Sequence, residues 1–156
     1  MATGTANAGL KGGCQCGAVR YTLLAAPTRP SICHCRMCQK ASGGPFMALT
    51  GVALAELKWT QGRPKTFRSS SHATRGFCEN CGTPLTYQFD GFDRIAVTIG
   101  SLDDPNAAPP ADQWGVEARL KWTKDVLTSP EHTSDELMQR RGIDSMKSLQ
   151  HPDADS

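Results

Sequence analysis

The sequence has no long hydrophobic run, and this absence excludes several classes of protein. Nothing in its 156 residues approaches the roughly 18 consecutive apolar residues of a membrane-spanning helix. The N-terminal residues MATGTANAGLKGG are small and polar, and they lack the apolar stretch of about 7–15 residues that a secretory signal requires. We therefore predict a cytoplasmic protein that has no membrane partner.

A strong excess of charge of either sign is also lacking. The formal net charge is +2, whereas domains that bind nucleic acid are usually strongly basic. That count treats the cysteines as neutral. If all seven cysteines bound two zinc ions as thiolates, the charge would fall to about −1, because metal ligation requires deprotonation. The near-neutral charge therefore argues against nucleic acid as a partner.

The composition is typical of one compact domain, with 38% hydrophobic and 21% charged residues and no internal repeat of fold-defining length. A chain of this length buries roughly 68–70% of its unfolded surface, so it needs no dense disulfide framework. We predict a flexible lead-in over residues 1–12, one folded domain over residues 13–130, and a polar tail over residues 131–156. Ser134 can cap a short helix in that tail.

Short β-strands separated by glycine and proline dominate the predicted secondary structure. Residues 18–24 alternate as a strand does, and they end at the breaker-rich segment APTRPS. The clearest hairpin spans residues 85–99, where alternating apolar residues flank an Asp-Gly turn. A further strand is predicted over residues 114–118, and a short helical turn begins near Met37. The sequence therefore predicts a mainly β fold with short helical turns.

A compact domain of this length does not need cysteine for its stability, so the seven cysteines require another explanation. Seven is an odd number, so the cysteines cannot all pair as internal disulfides, and in a reducing compartment thiols stay free unless metal or catalysis uses them. They form three clusters: Cys14-Gln-Cys16, Cys33-His-Cys35-Arg-Met-Cys38 and Cys78-Glu-Asn-Cys81. A tetrahedral zinc ion takes four ligands, and a C-x-x-C turn supplies two of them at little cost in chain entropy. We interpret the cysteines as zinc ligands.

The first and last clusters supply four sulfurs, and we predict that they bind a structural zinc ion: Cys14, Cys16, Cys78 and Cys81. The middle cluster then holds a second zinc ion with an open fourth position: Cys33, Cys35 and Cys38. An open position is the usual mark of a catalytic zinc site. Spacing alone does not determine which clusters meet, so a site that joins Cys78 to the middle cluster remains an alternative.

Two residues near these cysteines are candidates for substrate binding. His34 lies between two of the cysteines, and in an extended segment its side chain would point away from an ion bound by its neighbours. We therefore expect it to pack beside the ion or to contact substrate rather than to be a ligand. Arg75 precedes the last cluster, and its guanidinium could bind a substrate carboxylate through two hydrogen bonds. The alternative for Arg75 is a position on a solvated strand.

The type of ligand in the middle cluster narrows its chemistry. Three thiolates leave a Zn²⁺ site at a net charge of about −1, which weakens Lewis acidity relative to the histidine sites of hydrolytic enzymes. Such an ion suits a further sulfur ligand, and coordination deprotonates an incoming thiol so that it can add to an electrophilic carbon. Thiol chemistry is therefore favoured over hydrolysis. The alternative is a binding module for a protein or nucleic acid, in which both ions are structural.

Four motifs in this order resemble the glutathione-dependent formaldehyde-activating family, also called the CENP-V/GFA domain: GGCQCGAVRY, CHCRMCQKASG, RGFCENCGTPL and GSLDDP. The resemblance covers residues 12–130. It implies a mainly β fold similar to the Mss4-like zinc folds, with a structural zinc ion on the four cysteines and a catalytic one on Cys33, Cys35 and Cys38. It also implies carbon-sulfur lyase activity, which reversibly joins glutathione to formaldehyde as S-(hydroxymethyl)glutathione.

One position departs from the pattern of that family. Near their last strand, family members commonly have a histidine a short distance before a tryptophan. If that tryptophan is Trp122, the corresponding position in this chain is Gln113. A glutamine side chain is not a general base near neutral pH, so this chain lacks any proton transfer that the histidine performs.

Overall fold

The computed structural model describes residues 8–154, and within them ten strands form two sheets. The strands are β1 (Lys11–Gly13), β2 (Arg20–Leu23), β3 (Thr28–Cys33), β4 (Met47–Ala53), β5 (Leu57–Gln61), β6 (Lys65–Ser70), β7 (Ala73–Phe77), β8 (Pro84–Phe89), β9 (Arg94–Thr98) and β10 (Asp112–Trp114). The α-helices are α1 (Arg36–Ser42) and α2 (Ser134–Arg140). Short 3-10 helices cover Leu54–Glu56, Ile99–Ser101, Pro105–Ala107, Val116–Ala118, Lys121–Lys124 and Val126–Thr128. The predicted mainly β fold is confirmed.

The smaller sheet contains β1, β2 and β5, and the larger has the order β10-β3-β4-β9-β8-β7-β6. Neighbouring strands are antiparallel except β10, which runs parallel to β3. The hairpin predicted over residues 85–99 is confirmed as β8 and β9, with Tyr87 opposite Ala96. Among the described residues, no helix has the length and apolar character that crossing a bilayer requires.

Buried residues lie on both faces of the larger sheet because alternate residues of a strand point in opposite directions. One face packs on the smaller sheet, and this main core includes Tyr21, Leu23, Val52, Leu57, Ile95 and Val97. Met47 and Leu49 of β4 belong to a separate, smaller cluster with Cys38 of α1. The middle group of cysteines therefore belongs to a packing cluster separate from the main core.

Residues 9–12 form backbone hydrogen bonds within the smaller sheet, although the sequence predicted a flexible lead-in over residues 1–12. Gly9 N donates to Leu23 O at 2.8 Å, and Gly12 lies opposite Tyr21 in the antiparallel register of β1 and β2. A Cβ atom on Gly12 would collide with the Tyr21 hydroxyl, so glycine permits this close approach of β1 to the core. The small residues that suggested flexibility here therefore have a packing role. Residues 1–7 lie outside the described part of the chain.

Two further local predictions differ from the structure. The segment APTRPS was predicted to end a strand because of its prolines, but most of it lies in β3. The register of β3 with β4 shifts between Thr28 and Ser31. The strand predicted over residues 114–118 ends at Trp114, because Gly115 turns the chain with a φ of 64° and a 3-10 helix follows. In both segments, the backbone conformation of single residues determines the course of the strand, and the apolar pattern does not.

The tail contains the predicted short helix, α2. Its N-cap is Thr133 rather than the predicted Ser134, because Thr133 Oγ1 accepts a hydrogen bond from Glu136 N at 3.2 Å and the Glu136 carboxylate accepts one from Thr133 N. Beyond the helix, His151 N donates to Gln15 O at 2.7 Å. This part of the tail therefore contacts the turn of the first cysteine pair.

Candidate functional site

The first and last cysteine clusters meet beside the main core. Their four Sγ atoms all lie within 4.8 Å of one another: Cys14, Cys16, Cys78 and Cys81. Each pair lies in a tight turn, in which Gly17 N donates to Cys14 O at 3.1 Å and Gly82 N donates to Cys78 O at 2.8 Å. Both glycines have a positive φ, which a residue with a side chain adopts only with strain. Four sulfurs at this separation match the donor set of a tetrahedral zinc site.

Neighbouring groups tune the thiols of this four-cysteine group in opposite directions. Burial raises the pKa of the Cys78 thiol to about 12. Burial also acts to raise the pKa of Cys81, but hydrogen bonds with Thr83 and Cys16 outweigh it and lower that pKa to about 6. A bound zinc ion would have to displace a tightly held proton from Cys78, whereas the lowered pKa of Cys81 favours its thiolate.

The middle group of cysteines is assembled where β3 meets α1. Cys33 ends the strand, Cys35 is the N-cap of the helix and Cys38 lies in its first turn, with all three Sγ atoms within 4.8 Å of one another. Cys35 Sγ accepts a hydrogen bond from Cys38 N at 3.4 Å, so the cap of the helix also positions a candidate ligand. Within residues 8–154, this group contains no fourth cysteine, histidine or carboxylate. Three thiols are a donor set that Zn²⁺ accepts.

Arg75 lies against the three-cysteine group, and only 4% of its surface is exposed. Its guanidinium donates to Cys38 Sγ at 3.2 Å, to Met47 Sδ at 3.1 Å and to Ser69 Oγ at 2.8 Å. The guanidinium carbon also lies 4.8 Å from the ring centroid of Tyr87. Each of its three nitrogens therefore already has a partner in the protein, although the sequence suggested that they bind a substrate carboxylate. Burial raises the pKa of the Cys38 thiol to about 12 even though Arg75 acts to lower it.

His34 is buried, with 3% of its surface exposed, and lies outside the sulfur group. Its ring packs edge to face on Phe46, and Nε2 lies 3.0 Å from Gln113 Oε1. The same oxygen accepts a hydrogen bond from Arg119 at 3.1 Å, so His34 Nε2 is the donor to Gln113. His34 does not line the cavity described below, although the sequence offered it as a substrate-binding residue. Gln113 holds this histidine in place.

Contacts from distant parts of the chain support the cysteine segment. His34 donates its backbone N–H to Trp114 O at 2.8 Å, and Gln39 Nε2 donates to Ala118 O at 2.9 Å. At Gly115, a Cβ atom would lie 2.7 Å from Cys35 N, so only glycine allows this close approach. The motif spacing could not indicate these supports, because they depend on the parallel pairing of β10 with β3.

A cavity of about 320 Å³ lies beside the three cysteines, which is near the lower end of the range for small-molecule sites. It extends over the face of the larger sheet that is opposite the main core. Among the described residues, its lining includes no carboxylate and three cationic residues: Arg29, Arg75 and Arg94. Sequence reasoning singled out only Arg75 of these. An alternating pattern at Arg29, Ser31 and Cys33 would have been a signal, but the prolines around it masked the strand.

Three comparisons relate the chain to known proteins. A family model described as Glutathione-dependent formaldehyde-activating enzyme matches residues 9–117. An uncharacterized lyase of Schizosaccharomyces pombe is 33% identical over 79 residues, which are 51% of this chain and 57% of that protein. The matched segment thus spans little more than half of that relative. A crystal structure of a Rhodobacter sphaeroides protein superposes with a TM-score of 0.54 at 22% identity, covering 66% of this chain and 98% of the other, and supports the fold alone.

Proposed function

The chain belongs to the glutathione-dependent formaldehyde-activating enzyme family, and on that premise we propose that it is a zinc-dependent carbon-sulfur lyase. Its substrates would be a glutathione-type thiol and an aldehyde such as formaldehyde. In one direction the thiol sulfur bonds to the carbonyl carbon and a proton reaches the oxygen, which yields S-(hydroxymethyl)glutathione. The reverse direction breaks the same carbon-sulfur bond. The observation that carries this proposal is a group of three thiols beside a cavity, with no fourth ligand from the described residues.

The two cysteine groups would have different roles. The four-cysteine group would hold a structural zinc ion, because its four sulfurs complete a tetrahedral donor set. The three-cysteine group would hold the second ion through Cys33, Cys35 and Cys38. Bound there, Zn²⁺ would supply a coordination position at which a thiol loses its proton at neutral pH.

Other residues of the cavity would stabilise a thiolate and surround the substrate. Arg75 stabilises the thiolate form of Cys38 through its charge and its hydrogen bond. Leu49, Tyr87 and Ala96 give the cavity apolar walls beside the cysteines. Among the residues that the structure describes, no histidine or carboxylate lines the cavity, so the thiol proton would pass to solvent rather than to a protein base.

Cobalt substitution tests this proposal, because Co²⁺ reports its sulfur ligands by absorption. We expect two cobalt ions per chain, and we expect the sulfur-to-cobalt absorption to change when glutathione is added. Turnover of glutathione and formaldehyde is then measured against the uncatalysed reaction. Two bound metal ions without any response to a thiol would contradict the lyase proposal, and would favour a binding module whose metal sites are both structural.

A further inference from the structure

Two arginines at the cavity have no anionic partner in the part of the chain that the structure describes. Arg29 and Arg94 both line the cavity, and both are exposed. Arg94 donates to Thr28 Oγ1, and neither arginine forms an ion pair within residues 8–154. The third arginine of the cavity, Arg75, is already in contact with Cys38. Two cationic groups in a cavity without carboxylates favour an anionic ligand.

The register of the larger sheet places these charges away from the cysteines. Arg29, Ser31 and Cys33 all line the cavity from β3, at alternating positions. Cys33 lies four positions after Arg29, which corresponds to about 13 Å along the strand. Arg94 begins β9, which is separated from β3 by β4 alone. The cavity therefore has a sulfur end and an arginine end.

The backbone at Arg29 is strained. Its φ is 54°, and among the described residues it is the only one other than glycine with a positive φ. Such a conformation is unfavourable for an arginine, and strain of this kind is concentrated at binding and catalytic sites. The strain coincides with the register shift between β3 and β4, and it occurs at a residue that lines the cavity.

We propose that Arg29 and Arg94 bind a carboxylate of the thiol substrate while its sulfur lies at the three-cysteine end of the cavity. This inference rests on the proposed function, and it narrows the substrate class to thiols that carry a carboxylate several bonds from the sulfur. An arginine-carboxylate contact is strong and directional, so it orients the ligand along the cavity. Small neutral thiols would contact only the three-cysteine end of the cavity, because they have no carboxylate for the arginines.

Binding measured by calorimetry tests the carboxylate contact without depending on a free thiol. The ligands are S-methylglutathione, which has both carboxylates but no thiol, and its diethyl ester, in which both carboxylates are masked. We expect the native protein to bind the acid at least about 10-fold more tightly than the ester. The double variant R29N/R94Q should lose this preference, and Asn is chosen because it tolerates a positive φ. Arg63→Gln, which changes an exposed arginine outside the cavity, should keep it.

The outcomes separate this inference from the proposed function. Equal binding of acid and ester, or a preference that survives in R29N/R94Q, would overturn the carboxylate contact. In that case an intact response of the cobalt absorption to glutathione would leave the lyase proposal standing. An acid preference that depends on the two arginines supports the inference. If no thiol then alters the cobalt absorption, the lyase proposal fails while the carboxylate site remains. The variant is accepted only if its circular dichroism and metal content match those of the native protein.

Discussion

Arg75 places a positive charge in contact with a thiol inside the protein. At 3.2 Å from Cys38 Sγ, and with little exposed surface, it favours the thiolate by several kcal/mol at the effective dielectric constant of a partly buried site. It also offsets the net negative charge that three thiolates would give to a zinc site. An opposite charge beside a ligand lowers the cost of deprotonating that ligand, and this deprotonation is part of metal binding.

We expect Arg75→Gln to weaken zinc binding at the three-cysteine group by 10-fold or more, in line with about 1.4 kcal/mol for each pKa unit. Removing the positive charge raises the pKa of the Cys38 thiol further, so a zinc ion must displace a more tightly held proton. Because this pKa already lies above neutrality, the loss of affinity should appear throughout the neutral range. It should diminish only at pH values above the raised pKa. Competition with a chromogenic chelator measures the affinity.

Arg68→Gln is the matched control, because Arg68 is an exposed arginine on the neighbouring strand β6 and pairs with Asp90. It should leave both zinc affinities unchanged. Arg75→Lys should retain part of the effect, since the charge remains while the three separate hydrogen bonds do not. Equal zinc affinity of Arg75→Gln and the native protein would show that this arginine does not influence the metal site.

At the scale of residues, spacing predicted the grouping of the cysteines but not what surrounds them. The two sets favoured by spacing are the sets whose sulfurs meet, because each pair or triplet is local in sequence. The partners of Arg75 and His34 were not predictable. Met47 lies far from Arg75 in the chain and Gln113 lies far from His34, and only the strand order brings them together.

At the scale of elements, the position of Cys35 depends on how β10 approaches β3. Gly115 follows β10 with a φ of 64°, and its α-carbon passes close to the backbone of Cys35. This contact holds the N-cap of α1 against the edge of the larger sheet. The three-cysteine group is therefore set by a close approach between elements as well as by its own local turn.

We expect Gly115→Ala to disturb the three-cysteine group. The new Cβ would lie 2.7 Å from Cys35 N and 3.0 Å from its Cβ, so the backbone of the cysteine segment must shift. The positive φ adds strain of on the order of 1 kcal/mol. The metal ion that we propose for the three-cysteine group should be lost or bound more weakly, as measured by metal analysis, and the free energy of unfolding should fall by about 1–3 kcal/mol.

Gly91→Ala distinguishes the strain of a positive φ from the contact with Cys35. Gly91 also has a positive φ, of 79°, but a Cβ there meets nothing within 4 Å. That variant should show the loss of stability from strain without any loss of metal. If Gly115→Ala kept both ions as tightly as Gly91→Ala does, the contact with Cys35 would not position the group.

Elements with a strong local pattern were predictable, and those formed by long-range pairing were not. The β8-β9 hairpin has alternating apolar residues and an Asp-Gly turn, so its location and type followed from the sequence. β3 contains Pro30 and a residue of positive φ, and β10 is three residues long and exposed. Neither strand has an apolar pattern of its own, and both depend on pairing with the rest of the sheet.

At the scale of the whole molecule, a buried ion pair links β2 of the smaller sheet to the segment after β9 of the larger sheet. Arg20 and Asp103 form two hydrogen bonds, of 2.8 and 2.7 Å, and the Arg20 side chain is almost fully buried. Removal of one partner from such a pair leaves an unpaired charge in a poorly solvated place. The cost should appear in the global stability, because the two groups lie 83 residues apart in the chain.

We expect Asp103→Asn to lower the free energy of unfolding by about 3 kcal/mol, since Asn cannot balance the charge of Arg20. Denaturant unfolding at a fixed zinc concentration measures this change, with the m-value unchanged. Asp104→Asn is the matched control, because its side chain only caps an exposed 3-10 turn and Asn can accept the same hydrogen bond from Asn106 N. If the two variants were equally stable, the ion pair would not contribute to holding the segment after β9 against β2.

The two cysteine groups differ in how they are connected to the rest of the molecule. The four-cysteine group joins the turn after β1 to the turn after β7, and two of its members, Cys14 and Cys78, belong to the main core. The three-cysteine group comes from one segment of six residues, and its only core contact is with the smaller cluster. A metal ion in the first group would cross-link distant parts of the chain, whereas an ion in the second would close only a short loop.

We therefore expect Cys16→Ser and Cys35→Ser to have different consequences, although each changes a single sulfur. A structural zinc ion contributes on the order of 10 kcal/mol, which is comparable to the whole stability of a small domain. Cys16→Ser should thus leave the protein largely unfolded, as judged by circular dichroism, even though Cys16 is exposed and its loss creates no cavity. Cys35→Ser should keep the native spectrum and bind one zinc ion fewer. Collapse of Cys35→Ser would contradict this division, because its ion would then be structural as well.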